Sequence, residues 1–363
     1  MTKQLLLTGA TGLIGGDVLI RMLRADRALR AHVLVRTASH WPALASRLGP
    51  LQDRVTPVAA DLSVPGMGLD APARRQLTDA DLIVHCAADT RFSQTLPHAR
   101  RHNRDGTRRL LELGTDCRAL ERFVHVSTAF VAGRLTGDVR EAALNGDAGW
   151  VNAYEQSKHE AEALVRASAL PWLIARSSTV VCDGGDGSIR QINAVHRALD
   201  LCRAGLASMV PGAEDTPVDL VTTDYVSGGV ARLALGAGAR FGTYHLCAGA
   251  GALPLGELLD RAFSLWRSDA RWQRRGVARP ALTSLDTYRL FEAAVEETGD
   301  ARLRAITRSL THFVPQLALP KRFETHAADT TLGYPAPVVS SYWSAVLARL
   351  EQNRRTRALP RAA

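Results

Sequence analysis

The chain has 363 residues, of which 46% are hydrophobic and 22% charged, enough for one large or two modest domains and unlike a disordered chain or a fibre. Its net charge of +9 rests almost wholly on arginine, because Lys3, Lys158 and Lys321 are the only lysines, and no basic block is long enough for a nucleic-acid arm. The five cysteines (Cys86, Cys117, Cys182, Cys202, Cys247) are widely spaced without a CxxC pair, and no apolar run approaches membrane-spanning length, which argues against a disulfide framework, a structural metal site and stable membrane insertion.

The chain runs from Met1-Thr2-Lys3 directly into Gln4 and the short strand Leu5-Leu6-Leu7, with too little apolar sequence for a signal-peptide core, so the expectation is a cytosolic protein. Thr8-Gly9-Ala10-Thr11-Gly12-Leu13-Ile14-Gly15 follows that strand and opens a helix over about 13–25. The glycine spacing suits a tight turn, a close backbone approach to a pyrophosphate and a helix packed near the sheet, with the helix amides aimed at the anion. A glycine triplet alone is a weak signal; between a strand and an amphipathic helix it predicts dinucleotide binding.

Ala31-His32-Val33-Leu34-Val35 reads as the second strand, and Arg36 stands at its end. A carboxylate there would suit a ribose 2′-hydroxyl, whereas a guanidinium suits a 2′-phosphate, so the expected cofactor is NADP(H), with Arg47 assisting. Asp61-Leu62 after the strand Val55–Val58 is placed to meet the adenine, and the small Ala87-Ala88 after the strand Asp81–Val84 lets the cofactor pass. A helix is predicted over about 95–115. The strand Phe123–Val126 then leads to Ser127 and Thr128, either of which offers a hydroxyl at the sheet's carboxyl edge, while His125 reads as buried and hydrogen-bonded.

The helix predicted over about 151–169 carries Tyr154 and Lys158, four apart and so on one face. A nearby ammonium and a cationic nicotinamide are expected to draw the phenol's pKa down, and the ammonium to hold the nicotinamide ribose. The strand Trp172–Ala175 follows. Every strand so far is short and apolar on both faces, the signature of a parallel sheet covered on both sides. Cys182–Gly187 is a turn-rich break. Helical patterns follow at about 190–204, 224–236, 255–267, 286–308 and 340–352, with Asp224 read as an N-cap and Arg354–Ala363 as a frayed basic tail. The fold expected is therefore α/β: a Rossmann-type doubly wound parallel sheet with a smaller, mostly helical C-terminal substrate-binding region. The expected boundaries are 1–180 for the nucleotide-binding domain and 181–353 for the substrate region, with some return to the sheet near 218–248.

Taken together, these motifs resemble the extended short-chain dehydrogenases/reductases. Val131-Ala132-Gly133 resembles that family's Val-Tyr-Gly, and counting back from it the resemblance makes Thr128 the catalytic hydroxyl, beside Tyr154 and Lys158. Ala87–Phe92, Asn103–Thr107, Asn152–Lys158 and Val218–Tyr225 are similar to the thioester-reductase and fatty acyl-CoA reductase branch, the male-sterility type, over roughly residues 4–236. Ser177 departs from that branch, which often has proline after the residue matching Arg176. The resemblance implies NADPH-dependent reduction of an acyl thioester to an aldehyde, and on to an alcohol if a second hydride follows. It implies an acidic partner too, either coenzyme A or an acyl or peptidyl carrier protein. Other activities of the superfamily use the same residues: ketone or aldehyde reduction, hydroxysteroid-type dehydrogenation and nucleotide-sugar epimerisation. A non-catalytic dinucleotide-sensing protein is a further alternative.

Overall fold

The structure is a computed structural model that describes residues 2–236 and 241–358. Its centre is a seven-stranded, wholly parallel sheet. Six strands lie where the apolar runs predict them: β1 (Gln4–Thr8), β2 (Arg30–Val35), β3 (Val55–Ala59), β4 (Leu82–His85), β5 (Arg122–Thr128) and β6 (Trp172–Ser177). The seventh, β7 (Gly242–Leu246), pairs along β6 from Leu173 to Ser177 and was not predicted as a strand. The spatial order is β7-β6-β5-β4-β1-β2-β3, so the winding reverses between β1 and β4. A crevice at the carboxyl ends of the strands opens at that reversal.

Why the sheet is covered on both faces can be followed in three residues. Leu5, Leu6 and Leu7 are all fully buried. Successive strand residues point to opposite faces. Leu5 and Leu7 join a core with Val18 and Leu19 of α1 (Leu13–Ala25), and Leu6 joins a second core behind the sheet. On the margins of this first half lie α2 (Trp41–Leu48), α3 (Ala71–Leu77) and α4 (Leu96–Ala99). The second core takes Leu110 and Leu113 from α5 (Asp105–Thr115) and Val165 from α6 (Ala153–Ala167). The predicted helix over 95–115 is interrupted by a π turn at Arg100–Arg104, which turns Asn103 inward.

Beyond β6 the chain is mostly helical: α7 (Ala194–Ala204), α8 (Thr223–Leu235), α9 (Leu255–Arg267), α10 (Ala270–Gln273), α11 (Leu285–Glu297), α12 (Ala301–Leu310), α13 (His326–Leu332) and α14 (Trp343–Ala358). α8 does not belong to this outer layer. It packs on α1, and the Ser227 hydroxyl donates to Asp17 Oδ2 at 2.6 Å. The chain thus returns to the sheet through α8 and β7 before leaving for the remaining helices. Asp224 is not the N-cap: the cap is Thr222, two residues earlier, and the Asp224 amide is bonded to the Asp183 carbonyl at 3.0 Å. The Asp224 carboxylate sits instead in the first turn, where it suits the helix dipole. The predicted basic tail begins inside α14, and residues 359–363 of it lie outside the described residues.

Candidate active site

The first part of the site is the glycine turn. Gly9 adopts φ +76°, and a side chain there would begin 2.7 Å from the Ala87 amide nitrogen. A side chain on Gly15 would begin 2.3 Å from the Gly9 carbonyl oxygen. Both positions therefore exclude a β-carbon. The Gly12 amide closes the turn on the Gly9 carbonyl at 3.0 Å, and α1 starts at Leu13 and Ile14 with its free amides facing the crevice mouth. Gly9, Thr11, Arg36, Asp61, Leu62, Ala87 and Ala88 all line one cavity of about 550 Å³. These residues fit a dinucleotide: a backbone cradle for phosphates, small residues where the chain must pass close, and a guanidinium at the β2 end. Burial raises the Asp61 carboxyl, but bonds from Ser63 and the charges of Arg36 and His102 outweigh it, so it is held below the usual carboxylate range. Arg47 lies apart from this lining. Its guanidinium covers Gly16, 2.7 Å from where a side chain there would begin.

Sequence reasoning missed His102, which lines the same cavity and faces both Arg36 and Asp61. It also missed Asp89, His98 and His102 as a group, whose ligand atoms lie within 4.8 Å of one another. Arg91 already holds Asp89 there through a guanidinium–carboxylate contact of 2.5 Å, so the carboxylate has its cation.

The second part of the site lies where β5 ends against α6. Asn152 caps α6 by accepting the Glu155 amide at 3.0 Å, and this places Tyr154 in the first turn and Lys158 one turn on. The Tyr154 phenol lies beside the Thr128 hydroxyl, which accepts the Phe130 amide at 3.2 Å. Ser127 faces Glu162 instead. Asn103, turned inward by the π turn, donates to the Ser157 hydroxyl at 2.9 Å and accepts the Asp89 amide at 2.8 Å, joining the loop after β4 to α6.

Lys158 is fully enclosed. Its ammonium donates to the Val126 carbonyl at 2.9 Å and to His125 Nε2 at 3.2 Å. The expectation that it draws the Tyr154 pKa down is corrected here. Its ammonium is committed to β5, and burial pushes Tyr154 up to about 12 against the opposing Thr128 hydroxyl. Burial also pushes Lys158 down to about 8. His125 is fully buried, its partner being the site lysine itself. It stands in register with His85 on β4, which in turn stands in register with Thr8 on β1. His85 bonds the Thr8 hydroxyl at 2.7 Å and the Thr107 hydroxyl at 3.0 Å, and burial first, then Lys158, pushes it down to about 3. A row of neutral polar groups thus crosses the sheet beneath the crevice. The only signal for it in the sequence was a polar residue within each of three otherwise apolar strand ends.

A parallel sheet with a glycine turn at its reversal, together with a tyrosine and a lysine four apart facing a strand-end threonine, defines a Rossmann-type protein of the extended short-chain dehydrogenase/reductase class. Residues 7–230 match the male sterility protein family, and the chain belongs to that family. Among curated proteins it is similar to fatty acyl-CoA reductase 1 of Gallus gallus, at 32% identity over 145 residues, which is 35% of this chain and 28% of that protein. The chain therefore matches well under half the length of that relative. Among solved structures it is similar to the terminal R domain from the myxalamid PKS-NRPS biosynthetic pathway, with TM-score 0.79, 24% identity and coverage of 98% of this chain and 92% of that one. It is similar as well to the reductase (R) domain of a nonribosomal peptide synthetase from Mycobacterium tuberculosis, with TM-score 0.66, 25% identity and coverage of 98% and 92%. Among the described residues, no helix is long and apolar enough to cross a membrane.

Proposed function

We propose that this chain is an NADPH-dependent reductase that converts an acyl thioester, bound to coenzyme A or to a carrier protein, to the aldehyde, working in the cytosol. The observation that carries the reading is the pair of hydroxyls, Thr128 and Tyr154, set side by side where β5 ends against the first turn of α6. NADPH, when bound, supplies the hydride. Gly9, Gly12 and the first turn of α1 would hold its phosphates, and the Arg36 guanidinium would suit the 2′-phosphate. Thr128 and Tyr154 offer their hydroxyls to the thioester carbonyl oxygen and stabilise the charge that develops on it. Tyr154 carries its proton at neutral pH and is set to donate it. Lys158, one turn along the same helix, would hold the nicotinamide ribose. Loss of thiol from the resulting hemithioacetal gives the aldehyde.

The relatives favour a thioester over a free ketone: one is a fatty acyl-CoA reductase and two are reductase domains of synthetase pathways. The test is to mix the chain with NADPH and an acyl-CoA, or an acyl-loaded carrier protein, and to follow loss of nicotinamide absorbance and appearance of free thiol together. Equal amounts of both are expected. Consumption of NADPH with simple ketones or aldehydes, and none with thioesters, would replace this reading.

A further inference from the structure

Three lysines stand in this arginine-rich chain, and two of them have an explanation: Lys3 pairs with Glu121 at the surface, and Lys158 belongs to the site. Lys321 has neither role. It is 5% exposed and lies on a short strand, Lys321–Phe323, paired in parallel with Gly137–Val139. Its ammonium donates to Gln316 Oε1 at 2.8 Å and to the Leu319 carbonyl at 3.2 Å. An ammonium has three N–H groups, so the third is left for another acceptor. The Gln316 amide nitrogen in turn donates to Glu155 Oε1 at 2.7 Å, and Glu155 is the residue after Tyr154. Lys321 is therefore wired to the first turn of the helix that carries the phenol.

Lys321 and Gln316 line a cavity whose other walls are largely apolar, including Phe130, Val218, Phe313 and Phe323. Asp219 also reaches it, but its carboxylate is taken by the Ala248 and Gly249 amides, each at 2.8 Å. The cavity is close to the chemistry. Phe130 is two residues past Thr128, and Phe313 stacks on Phe92 at 6.3 Å, whose ring is 5.6 Å from that of Tyr154. Val218 and Phe313 also wall a second small cavity, lined almost entirely by aliphatic and aromatic side chains. The first cavity thus offers one ammonium, with Ser178 and Thr179 as its other uncharged polar residues besides Gln316, and its neighbour offers hydrocarbon. A buried charge in an apolar wall is costly unless it has a full set of partners.

We propose that Lys321, braced by Gln316 and Glu155, is a specificity-determining residue that binds a hydrogen-bond-accepting oxygen near the carbonyl end of the acyl chain. The favoured substrates are then acyl thioesters oxygenated close to the thioester, such as 3-oxo or 3-hydroxy chains, over plain saturated ones of the same length. The proposal rests on the thioester reading above. A compact ammonium suits a single oxygen in a confined space, where the broad planar guanidinium does not. A site built to hydrogen-bond a substrate oxygen discriminates strongly against the analogue lacking it.

The experiment compares octanoyl and 3-oxooctanoyl pantetheine in two ways: reduction of the thioesters with NADPH, and calorimetric binding of amide analogues in which nitrogen replaces sulfur. The full chain, Lys321→Met and Lys321→Arg are measured side by side, with thermal unfolding to confirm that each variant is folded. The wild type is expected to favour the 3-oxo compound by about tenfold or more in both kcat/KM and Kd. Lys321→Met is expected to bring both ratios close to one, and Lys321→Arg to leave them reduced. Should Lys321→Met fail to fold, Lys321→Arg carries the same test. No preference in the wild type, or a preference that survives both substitutions, overturns the proposal. The two readings fail separately: reduction of both thioesters at equal rate removes the specificity and leaves thioester reduction standing, whereas a Lys321-dependent binding preference without turnover removes the reduction and leaves the oxygen site.

Discussion

At the scale of single residues, the site divides its labour between a hydroxyl pair that stays neutral and an ammonium held near its own titration. Tyr154 is pushed up to about 12 by burial, so it carries a proton to give at any ordinary pH. Tyr154→Phe removes that proton and one of the two oxyanion donors; turnover should fall by at least about a hundredfold while NADPH affinity, measured by fluorescence, stays within about twofold. Activity surviving in that variant means that the acid lies elsewhere. Arg36→Asp should weaken NADPH far more than NADH, because only the former carries the phosphate that the guanidinium meets; equal weakening of both removes the 2′-phosphate argument. The pH dependence follows from Lys158. Burial lowers it to about 8, against the attraction of Glu162 and Cys86, so its ammonium is present below that pH and lost as pH rises through it. The reduction rate should therefore show an alkaline fall near pH 8, set by the lysine and not by the phenol. A rate that holds level to pH 10 contradicts this. Stability moves the other way. Between about 8 and its ordinary 10.5, the unfolded chain holds a proton on Lys158 that the folded chain has released, so rising pH favours the fold in that window.

At the scale of elements, α6 is the part that must not move, and the structure fastens it at two points. Its first turn is tied through Glu155 to Gln316, and its middle through Glu162 to β6 and β7. Arg176 on β6 meets Glu162 with two parallel bonds of 2.9 and 2.7 Å, and its other nitrogen reaches His245 Nε2 on β7 at 3.2 Å. Both members of the pair are almost wholly buried. Breaking a buried pair strands the remaining charge, so Arg176→Met should cost about 3–5 kcal/mol in urea unfolding, whereas Arg176→Met with Glu162→Leu should cost distinctly less. If the single and double variants lose the same stability, the stranded-charge account fails. This clamp was not legible in the sequence. Arg176 ends a strand that reads as apolar, Glu162 lies on a helix with other glutamates, and His245 lies on a strand that went unrecognised. β7 was missed because Gly242-Thr243-Tyr244-His245-Leu246 is short, opens on glycine and mixes polar with apolar residues; what makes it a strand is the free edge of β6, a tertiary fact. The six other strands were legible because burial on both faces requires near-continuous apolar runs. The glycine turn was legible because its geometry excludes every other residue type. The Tyr154–Lys158 spacing was legible too, but the direction in which the lysine points was not, since it depends on the His125 ring and the Val126 carbonyl across the gap.

At the scale of the whole molecule, the two halves expected from composition share one interior. Leu5 and Val33 of the sheet, Val226 of α8, Phe263 of α9 and Leu350 of α14 belong to a single contiguous core. The helices that cover the far face of α1 come from beyond the turn-rich break, since α8 packs directly on it. Cutting the chain at residue 180 would expose the side of α1 that α8 covers and leave the edge of β6 unpaired. A fragment of residues 1–180 should therefore fail to fold on its own, despite carrying the whole glycine turn, Tyr154 and Lys158. Circular dichroism and NADPH binding on the purified fragment test this, with an unfolded or aggregating chain that does not bind as the expected result. The same continuity predicts that the full chain unfolds in urea as one transition, with near-ultraviolet and far-ultraviolet signals coincident. If the two signals separate, and the half unfolding last still binds NADPH, the shared core is not what holds the nucleotide crevice in shape. If they coincide, substitutions around the cavities of residues 195–317 will be felt at the glycine turn as loss of cofactor binding at a common denaturant midpoint.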